Sequence, residues 1–105
     1  MKKLRITDLK PGPSRLMPDV LGGRRVTHGG VHCYEPGEIA HPEPVHVHDV
    51  HEVFIFLQGR GVLPVDGTEH PVQAGDVVVI EPGEDHHTTS SGDDPLVTAW
   101  FLMSD

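Results

Sequence analysis

Short apolar runs separated by turn residues recur along most of this chain. Twelve glycines and ten prolines interrupt the sequence about every eight to twelve residues, a spacing typical of short strands joined by turns. No segment has the period of a helix of useful length. Strands are predicted at residues 31–35, 44–49, 52–57, 61–65, 68–72, 77–80, 86–90 and 96–102. Strands without intervening helices predict an all-β fold, either an antiparallel sandwich or a barrel.

The segment EVFIFL, residues 52–57, is the strongest strand signal. Alternation places Glu52, Phe54 and Phe56 on one face and residues 53, 55 and 57 on the other. Both faces are apolar beyond the glutamate, whereas a strand wetted on one side would alternate with polar residues. We therefore expect the second face to be covered by another sheet or by a partner subunit.

The Asp66-Gly67 dipeptide predicts a tight type I′ hairpin between the strands on either side. The first 25 residues have only weak periodicity and are expected to form an N-terminal arm. Residues 26–105 then form one β-domain, in keeping with a length of 105 residues.

Charge limits the range of partners. Sixteen acidic residues oppose eight basic ones, giving a formal net charge of -8, and no basic stripe offsets them, so nucleic acid and anionic membranes are poor partners. No apolar run is long enough to span a bilayer, and the basic start lacks the apolar stretch of a signal peptide. The cytoplasm is the expected location. Cys33 is the only cysteine, which excludes an internal disulfide.

Histidines indicate the chemistry, since the chain carries nine of them. His46 and His48 are two residues apart, so on an extended chain both point the same way. Asp49 favours a turn that would bring in Glu52, and His86 follows the Pro82-Gly83 turn on a distant strand. Imidazole and carboxylate ligands suit borderline divalent metals.

The alternative is that these are ordinary surface or core histidines, because an HxH pair also arises by chance. His51 and His87 each neighbour a candidate ligand, and alternation turns both of them away. The remaining histidines show no ligand spacing and are expected at the surface: His28, His32, His41 and His70.

Two motifs extend this interpretation. The stretch HVHDVHEVFIFLQG (residues 46–59) resembles the first motif of the cupin superfamily: HxH, three residues, Glu, six residues, Gly. The stretch GDVVVIEPGEDH (residues 75–86) resembles the second motif: Gly, a short apolar strand, PxG, two residues, His. Together with the short interval between them, these motifs cover about two-fifths of the chain, and their order and spacing resemble the compact bacterial members.

The resemblance implies a double-stranded β-helix, the jelly-roll barrel, with one divalent metal ion inside. By position the ligands would be His46, His48, Glu52 and His86. The ion would be iron, manganese, nickel, zinc or copper, and no other cofactor is implied. Phe54, Phe56 and Val79 are expected to form a dry wall around it.

This chain departs from the motifs at two positions. A glycine expected about six residues before HxH is absent, with Ala40 nearest, and Glu81 replaces the first proline of PxG. Glu81 either brings a carboxylate near the barrel or is an exposed turn residue, and we favour the second interpretation. Neither departure affects a ligand.

The resemblance does not name a reaction, because the cupin barrel hosts many activities. The first hypothesis is a metal-dependent enzyme acting on a small oxygen-rich molecule, of isomerase, dioxygenase or lyase type, with no catalytic residue assigned. The alternative is a non-catalytic module that binds or senses a small molecule. A metal-braced scaffold is the third and weakest hypothesis. A homodimer is expected, since small cupins commonly pair through sheet faces and the doubly apolar strand fits such pairing.

Overall fold

Two antiparallel sheets make up almost all of the computed structural model, which describes residues 1–9, 11–12 and 21–104. The elements are β1 Lys2–Arg5, a 3-10 turn Ile6–Asp8, β2 Arg25–Cys33, β3 His51–Gln58, β4 Arg60–Val65, β5 Thr68–Gln73, β6 Asp76–Ile80, β7 Thr89–Ser90 and β8 Val97–Ser104. The larger sheet has the order β1-β6-β3-β8-β2 and the smaller one β5-β4-β7. All paired strands run antiparallel, so the prediction of an antiparallel all-β jelly roll is confirmed.

The main core lies between the two sheets. The larger sheet contributes Phe54, Phe56 and Ile80 to this cluster, and the smaller sheet contributes Leu63 and Val72. Each of these side chains is almost fully removed from water. Burial of large apolar side chains from both sheets holds the sheets face to face.

A second apolar cluster covers the outer face of β3. Val53 is 2% exposed there and packs with Val77, Val79, Leu21 and Met103. The outer face is thus covered at Val53 by the chain itself, whereas Leu57 at the end of the strand is exposed. Val79 pairs directly with Val53 and shares its face, so the expectation that Val79 lines the site was wrong: alternation sends it outward.

The strand predicted at residues 44–49 is absent, and this segment is irregular. It still runs beside residues 83–88, because Gly83 N donates to His48 O (2.9 Å) and His86 N donates to His46 O (3.1 Å). Pro42 and Pro44 lack an amide proton, so a continuous ladder cannot form here. The strand predicted at 86–90 shrinks to Thr89–Ser90, which pairs with Gly61 and Val62 of β4.

The predicted hairpin between β4 and β5 is present. Asp66 has φ 48° and Gly67 has φ 81°, the two left-handed conformations that a type I′ turn requires. Val65 and Thr68 close the hairpin as a pair.

The predicted N-terminal arm contributes a strand to the larger sheet. Strand β1 pairs with β6 in the register Arg5 to Asp76, and the Arg5 Nη1 atom donates to Asp76 Oδ1 at 2.8 Å. Asp76 is 1% exposed, and its other oxygen accepts the Gln73 amide at 2.9 Å. Part of the arm lies outside the described residues, and the boundary at residue 26 stays a prediction.

Candidate metal centre

The structure brings together the four side chains that the motifs single out. One ring nitrogen from each of His46, His48 and His86 lies within 4.8 Å of the other two. The carboxylate of Glu52 joins them, with Oε1 2.9 Å from His86 Nε2 and 3.3 Å from His48 Nε2. Burial increases across the group, since the side chain of His48 is 24% exposed and that of His86 is 2% exposed.

Three separate segments supply these groups. Glu52 is the second residue of β3 and points to the inner face together with Phe54. His86 follows the turn after β6 and makes an isolated bridge to Val65. His46 and His48 come from the irregular segment, so neighbouring chain rather than strand pairing sets their orientation.

Asp85 anchors that segment. Its Oδ1 accepts the backbone amide of His46 at 2.7 Å and also lies 2.7 Å from His87 Nε2. The amide of Asp85 in turn donates to Asp66 Oδ1 at 2.8 Å. The bond from the His46 amide lowers the pKa of the Asp85 carboxyl, which keeps it ionised as an acceptor. Asp85 is therefore a positioning residue for His46.

The His46 ring presents an unsatisfied nitrogen to the cluster. Its Nδ1 lies 3.0 Å from Glu43 Oε1, and because a carboxylate only accepts, the proton sits on Nδ1. The Nε2 atom then carries the lone pair, and it is buried with no hydrogen-bond partner among the described residues. Burial, followed by the neighbouring His41, His86 and His48, lowers the pKa of His46. The ring is thus held neutral, as a metal ligand must be.

His86 faces hydrogen-bond acceptors on both sides. Its Nδ1 lies 2.9 Å from Glu84 O and its Nε2 lies 2.9 Å from Glu52 Oε1. Burial lowers the pKa of His86, but the hydrogen bonds to Glu52 and to the Glu84 carbonyl outweigh burial and raise it. With an ionised Glu52, two acceptors require either a doubly protonated ring or a cation at Nε2. Together with the unpartnered nitrogen of His46, this arrangement fits a divalent metal held by three imidazoles and one carboxylate.

Two histidines next to the ligands lie outside the cluster, as alternation predicts. His51 Nε2 is 2.9 Å from Glu81 Oε2, and His87 is paired with Asp85. The Glu81 side chain is 51% exposed, so Glu81 is the exposed turn residue that we favoured.

A cavity of about 470 Å³ opens onto the cluster, within the size range of small-molecule sites. His48, Glu52 and His86 form part of its wall. Its wall also includes three histidines that were expected at the surface, namely His28, His32 and His41. His28 and His41 are exposed, as expected, whereas His32 is half-buried, because β2 pairs with β8 and places His32 opposite Thr98 on the inner face.

A histidine–carboxylate pair sits in this wall away from the ligands. His32 Nε2 is 2.8 Å from Glu38 Oε2, and the His32 ring stacks on Tyr34 with centroids 4.0 Å apart. The Glu35 amide, which donates to Glu38 Oε1 at 2.8 Å, lowers the pKa of Glu38. The ionised carboxylate of Glu38 accepts a hydrogen bond from His32 Nε2, so the other ring nitrogen, Nδ1, is the one left for a ligand. The even spacing of His28, His32 and Tyr34 is the sequence signal that would have placed them on one face.

Burial raises the pKa of Tyr34 to about 12, with the charges of Glu38 and Glu52 acting in the same direction and a hydrogen bond from Thr88 acting against them. Tyr34 is 8% exposed. Its phenol therefore stays protonated at physiological pH and serves the cavity as a hydrogen-bond donor.

Two antiparallel sheets around a cluster of three histidines and one glutamate define a small jelly-roll protein with a metal-type donor set. The Cupin_2 family model, a cupin domain, matches residues 30–102. The chain belongs to the cupin family. Over the residues that the structure describes, no helix is long and apolar enough to cross a membrane.

A curated relative is the dimethylsulfoniopropionate lyase DddW of Ruegeria pomeroyi. It is 32% identical over 75 residues, which cover 71% of this chain and 47% of the relative. This chain therefore spans about half the length of that enzyme.

Solved structures show the same fold. A cupin protein from Bacteroides fragilis matches with a TM-score of 0.67 and 22% identity, over 78% of this chain and 76% of that one. A Cupin 2 conserved barrel domain protein from Salinispora arenicola matches with a TM-score of 0.59 and 27% identity, over 95% of this chain and 73% of that one.

Proposed function

We propose that this cupin binds one divalent transition metal through His46, His48, Glu52 and His86 and is an enzyme acting on a small oxygen-rich molecule. The observation that carries the proposal is the buried, unpartnered Nε2 of His46 inside a cluster that borders an open cavity. Iron, manganese, nickel, zinc and copper all suit this donor set. The chemistry such an ion supplies when bound is polarisation of substrate oxygens as a Lewis acid.

The wall of the cavity supports catalysis rather than binding alone. His32 has its tautomer fixed by Glu38 at 2.8 Å, which is how a carboxylate prepares an imidazole to accept a proton. Tyr34, beside it, can donate a hydrogen bond to a substrate oxygen. We assign His32 as the proton-transfer residue, with Glu38 as its positioning residue.

Among the reaction types, the relationship to DddW favours an elimination, since that relative is named as a lyase. A lyase reaction needs a base that removes a proton next to the breaking bond, and His32 fits that role. The shared region is only part of DddW, so its substrate is one candidate among several.

The experiment is metal analysis followed by a substrate screen. Protein purified without chelators should carry about one metal per chain, and the loaded protein is then tested on dimethylsulfoniopropionate, sugars, catechols, β-diketones and keto acids. The proposal that the protein is an enzyme is supported if one class of compound is converted to product and if this activity is lost in His32→Gln and Glu38→Gln variants that still hold metal. Protein that takes up no metal under any loading condition contradicts the proposal.

A non-catalytic binding or sensing role is the alternative. Such a protein would give ligand-dependent thermal shifts in the same screen without any product. The His32–Glu38 pair favours the enzyme, because a pure binder does not need an oriented base.

We further propose that the chain forms a homodimer. Strand β2 lies at one edge of the larger sheet, and Val26 and Val31 on it are exposed. Light scattering at micromolar concentration measures the state, and a clean monomer contradicts this proposal. The cytoplasmic location stays a prediction.

A further inference from the structure

One part of the cavity wall lies on the larger sheet, away from the metal-type cluster. Thr98, the second residue of β8, pairs with His32 of β2 on one side and Phe56 of β3 on the other. Trp100, two residues further along β8, shares the inner face with Thr98 and lies opposite Gly30. We call Thr98, Trp100, Tyr34 and the His32–Glu38 pair the sheet subsite, and all of its members line the cavity.

Thr98 is the informative member of the sheet subsite. It is 1% exposed, and its Oγ1 atom has no hydrogen-bond partner among the described residues. A buried hydroxyl without a partner is unfavourable, and valine, which has nearly the same shape, would avoid that cost. A hydroxyl at this position of the cavity wall indicates a ligand that supplies the missing hydrogen-bond partner.

Its neighbours determine what that ligand can be. Tyr34 remains protonated and offers a donor, while the indole of Trp100 lies flat against Gly30: a Cβ placed on Gly30 would sit 3.4 to 3.5 Å from three indole atoms. A flat ring suits the C–H face of a hydroxylated chain or ring.

Charge excludes an anionic group at the same place. The charged members of the cavity wall near Tyr34 are the carboxylates Glu38 and Glu52, and none of the described residues that line the cavity is a lysine or an arginine. A second carboxylate or a phosphate would have no cationic partner there. Neutral hydroxyl groups, which both donate and accept, match a threonine, a protonated tyrosine and an oriented histidine.

We propose that the sheet subsite binds the neutral, hydroxylated part of the substrate, so that the ligand is a polyol-bearing molecule whose other end carries the oxygens directed at the metal. This inference rests on the proposed function only for the end of the ligand that is directed at the metal. The sheet subsite itself is argued from Thr98 and its neighbours.

The test compares hydroxycarboxylates that share one end and differ in the other. The shared end is a carboxylate with a nearby hydroxyl group, and glycolate has only that end. Gluconate adds a neutral hydroxylated chain, and glucarate adds the chain with a second carboxylate. Carnitine, whose hydroxyl lies one carbon further from the carboxylate, carries a cationic tail. Affinities for the metal-loaded protein come from calorimetry and from the fluorescence of Trp100, the only tryptophan of the chain. We expect gluconate to bind about tenfold or more tightly than glycolate and more tightly than glucarate and carnitine.

The decisive variant is Thr98→Val. We expect it to remove most of the gluconate advantage and to leave glycolate binding unchanged. Its melting temperature without ligand should equal or exceed that of the wild type, because the hydroxyl has no partner to lose; a purely structural threonine would lower it. Thr68→Val, at the exposed start of β5, is the matched control and should change neither affinity.

Equal affinities for glycolate and gluconate, a preference for glucarate or carnitine, or an unaltered gluconate advantage in Thr98→Val would each overturn the inference. If the protein takes up no metal, the proposed function fails, but the sheet subsite is still testable with xylitol, which lacks the carboxylate end. Saturation-transfer signals from xylitol on the metal-free wild type, weakened in Thr98→Val, support the subsite. Equal signals for the two proteins, or none for either, overturn it.

Discussion

Glu43 Oε1 lies 3.0 Å from His46 Nδ1, and this contact determines which nitrogen of His46 faces the other histidines. The Glu43 side chain is 45% exposed, whereas that of His46 is 14% exposed. A carboxylate at the protein surface thus fixes the tautomer of a ring that points inward, the usual role of a partner behind a metal-binding histidine.

Replacing Glu43 by alanine should therefore weaken metal binding without altering the fold. We expect the metal affinity to fall about tenfold or more, since loss of such a partner typically costs 10–100-fold. Competition with a fluorescent chelator measures the change. Glu69→Ala, an exposed carboxylate on β5, is the control, and equal affinities for the two variants would show that Glu43 does not position His46.

His48→Ala should abolish metal retention. His48 is the most exposed of the three histidines in the cluster, so its loss disturbs the core least. Elemental analysis should find about one metal per chain in the wild type and in His70→Ala, a histidine that lies outside both histidine clusters of the described residues. If His48→Ala still holds about one metal per chain, His48 is not a metal ligand.

The ionisation of Tyr34 gives a test that does not involve metal. The chain has one tyrosine, so the tyrosinate absorbance reports this residue alone. Burial raises its pKa to about 12, against about 10 in an unfolded chain. Below pH 10 the phenol is protonated in both the folded and the unfolded protein. Between pH 10 and 12 only the unfolded protein loses the phenol proton, so the free energy of unfolding falls as the pH rises, by at most about 2–3 kcal/mol. Tyrosinate forming near pH 10 in protein that is still folded, as judged by circular dichroism, would contradict this environment for Tyr34.

Asp76 should matter more to stability than its place on a short strand suggests. Asp76→Ala removes the acceptor of the Gln73 amide at 2.9 Å and the partner of Arg5 at 2.8 Å. Arg5 is partly exposed and can return to water, but the amide is left unpaired. We expect a loss of about 1–3 kcal/mol in the free energy of unfolding, measured in urea. Asp93→Ala breaks an ion pair whose two side chains are 59% and 78% exposed and should cost less than about 1 kcal/mol. Equal losses would mean that Asp76 does not hold β1 in place.

The sequence predicts the all-β class and the four clustered residues because both depend on local patterns. Alternation in β3 places Glu52 on the inner face, and the left-handed pair Asp66-Gly67 marks a hairpin that the structure contains. The prediction of a strand at residues 44–49 was wrong, because the prolines before His46 lack the backbone amide donors that a strand needs. The alternation of side chains does not reveal that loss.

The rest of the cavity wall depends on pairing between distant segments. His32 acquires its role only when β2 pairs with β8, which brings it opposite Thr98. Glu38 reaches His32 through the turn after β2. A single sequence specifies neither register, so the His32–Glu38 pair resembles two unrelated surface residues until the sheet is assembled.

The bond from the His86 amide to the His46 carbonyl joins positions 40 apart in the chain, and this separation has a kinetic consequence. The segments that carry these histidines meet only after the intervening strands have folded, because closing such a loop early is entropically unfavourable. We therefore expect capture of the proposed metal ion to be a late event in folding, and the bound ion to act as a reversible cross-link that mainly slows unfolding. Amide protons at this junction should exchange with deuterium more slowly in the loaded protein, while those of the hairpin at Asp66 and Gly67 should exchange at nearly the same rate in both forms.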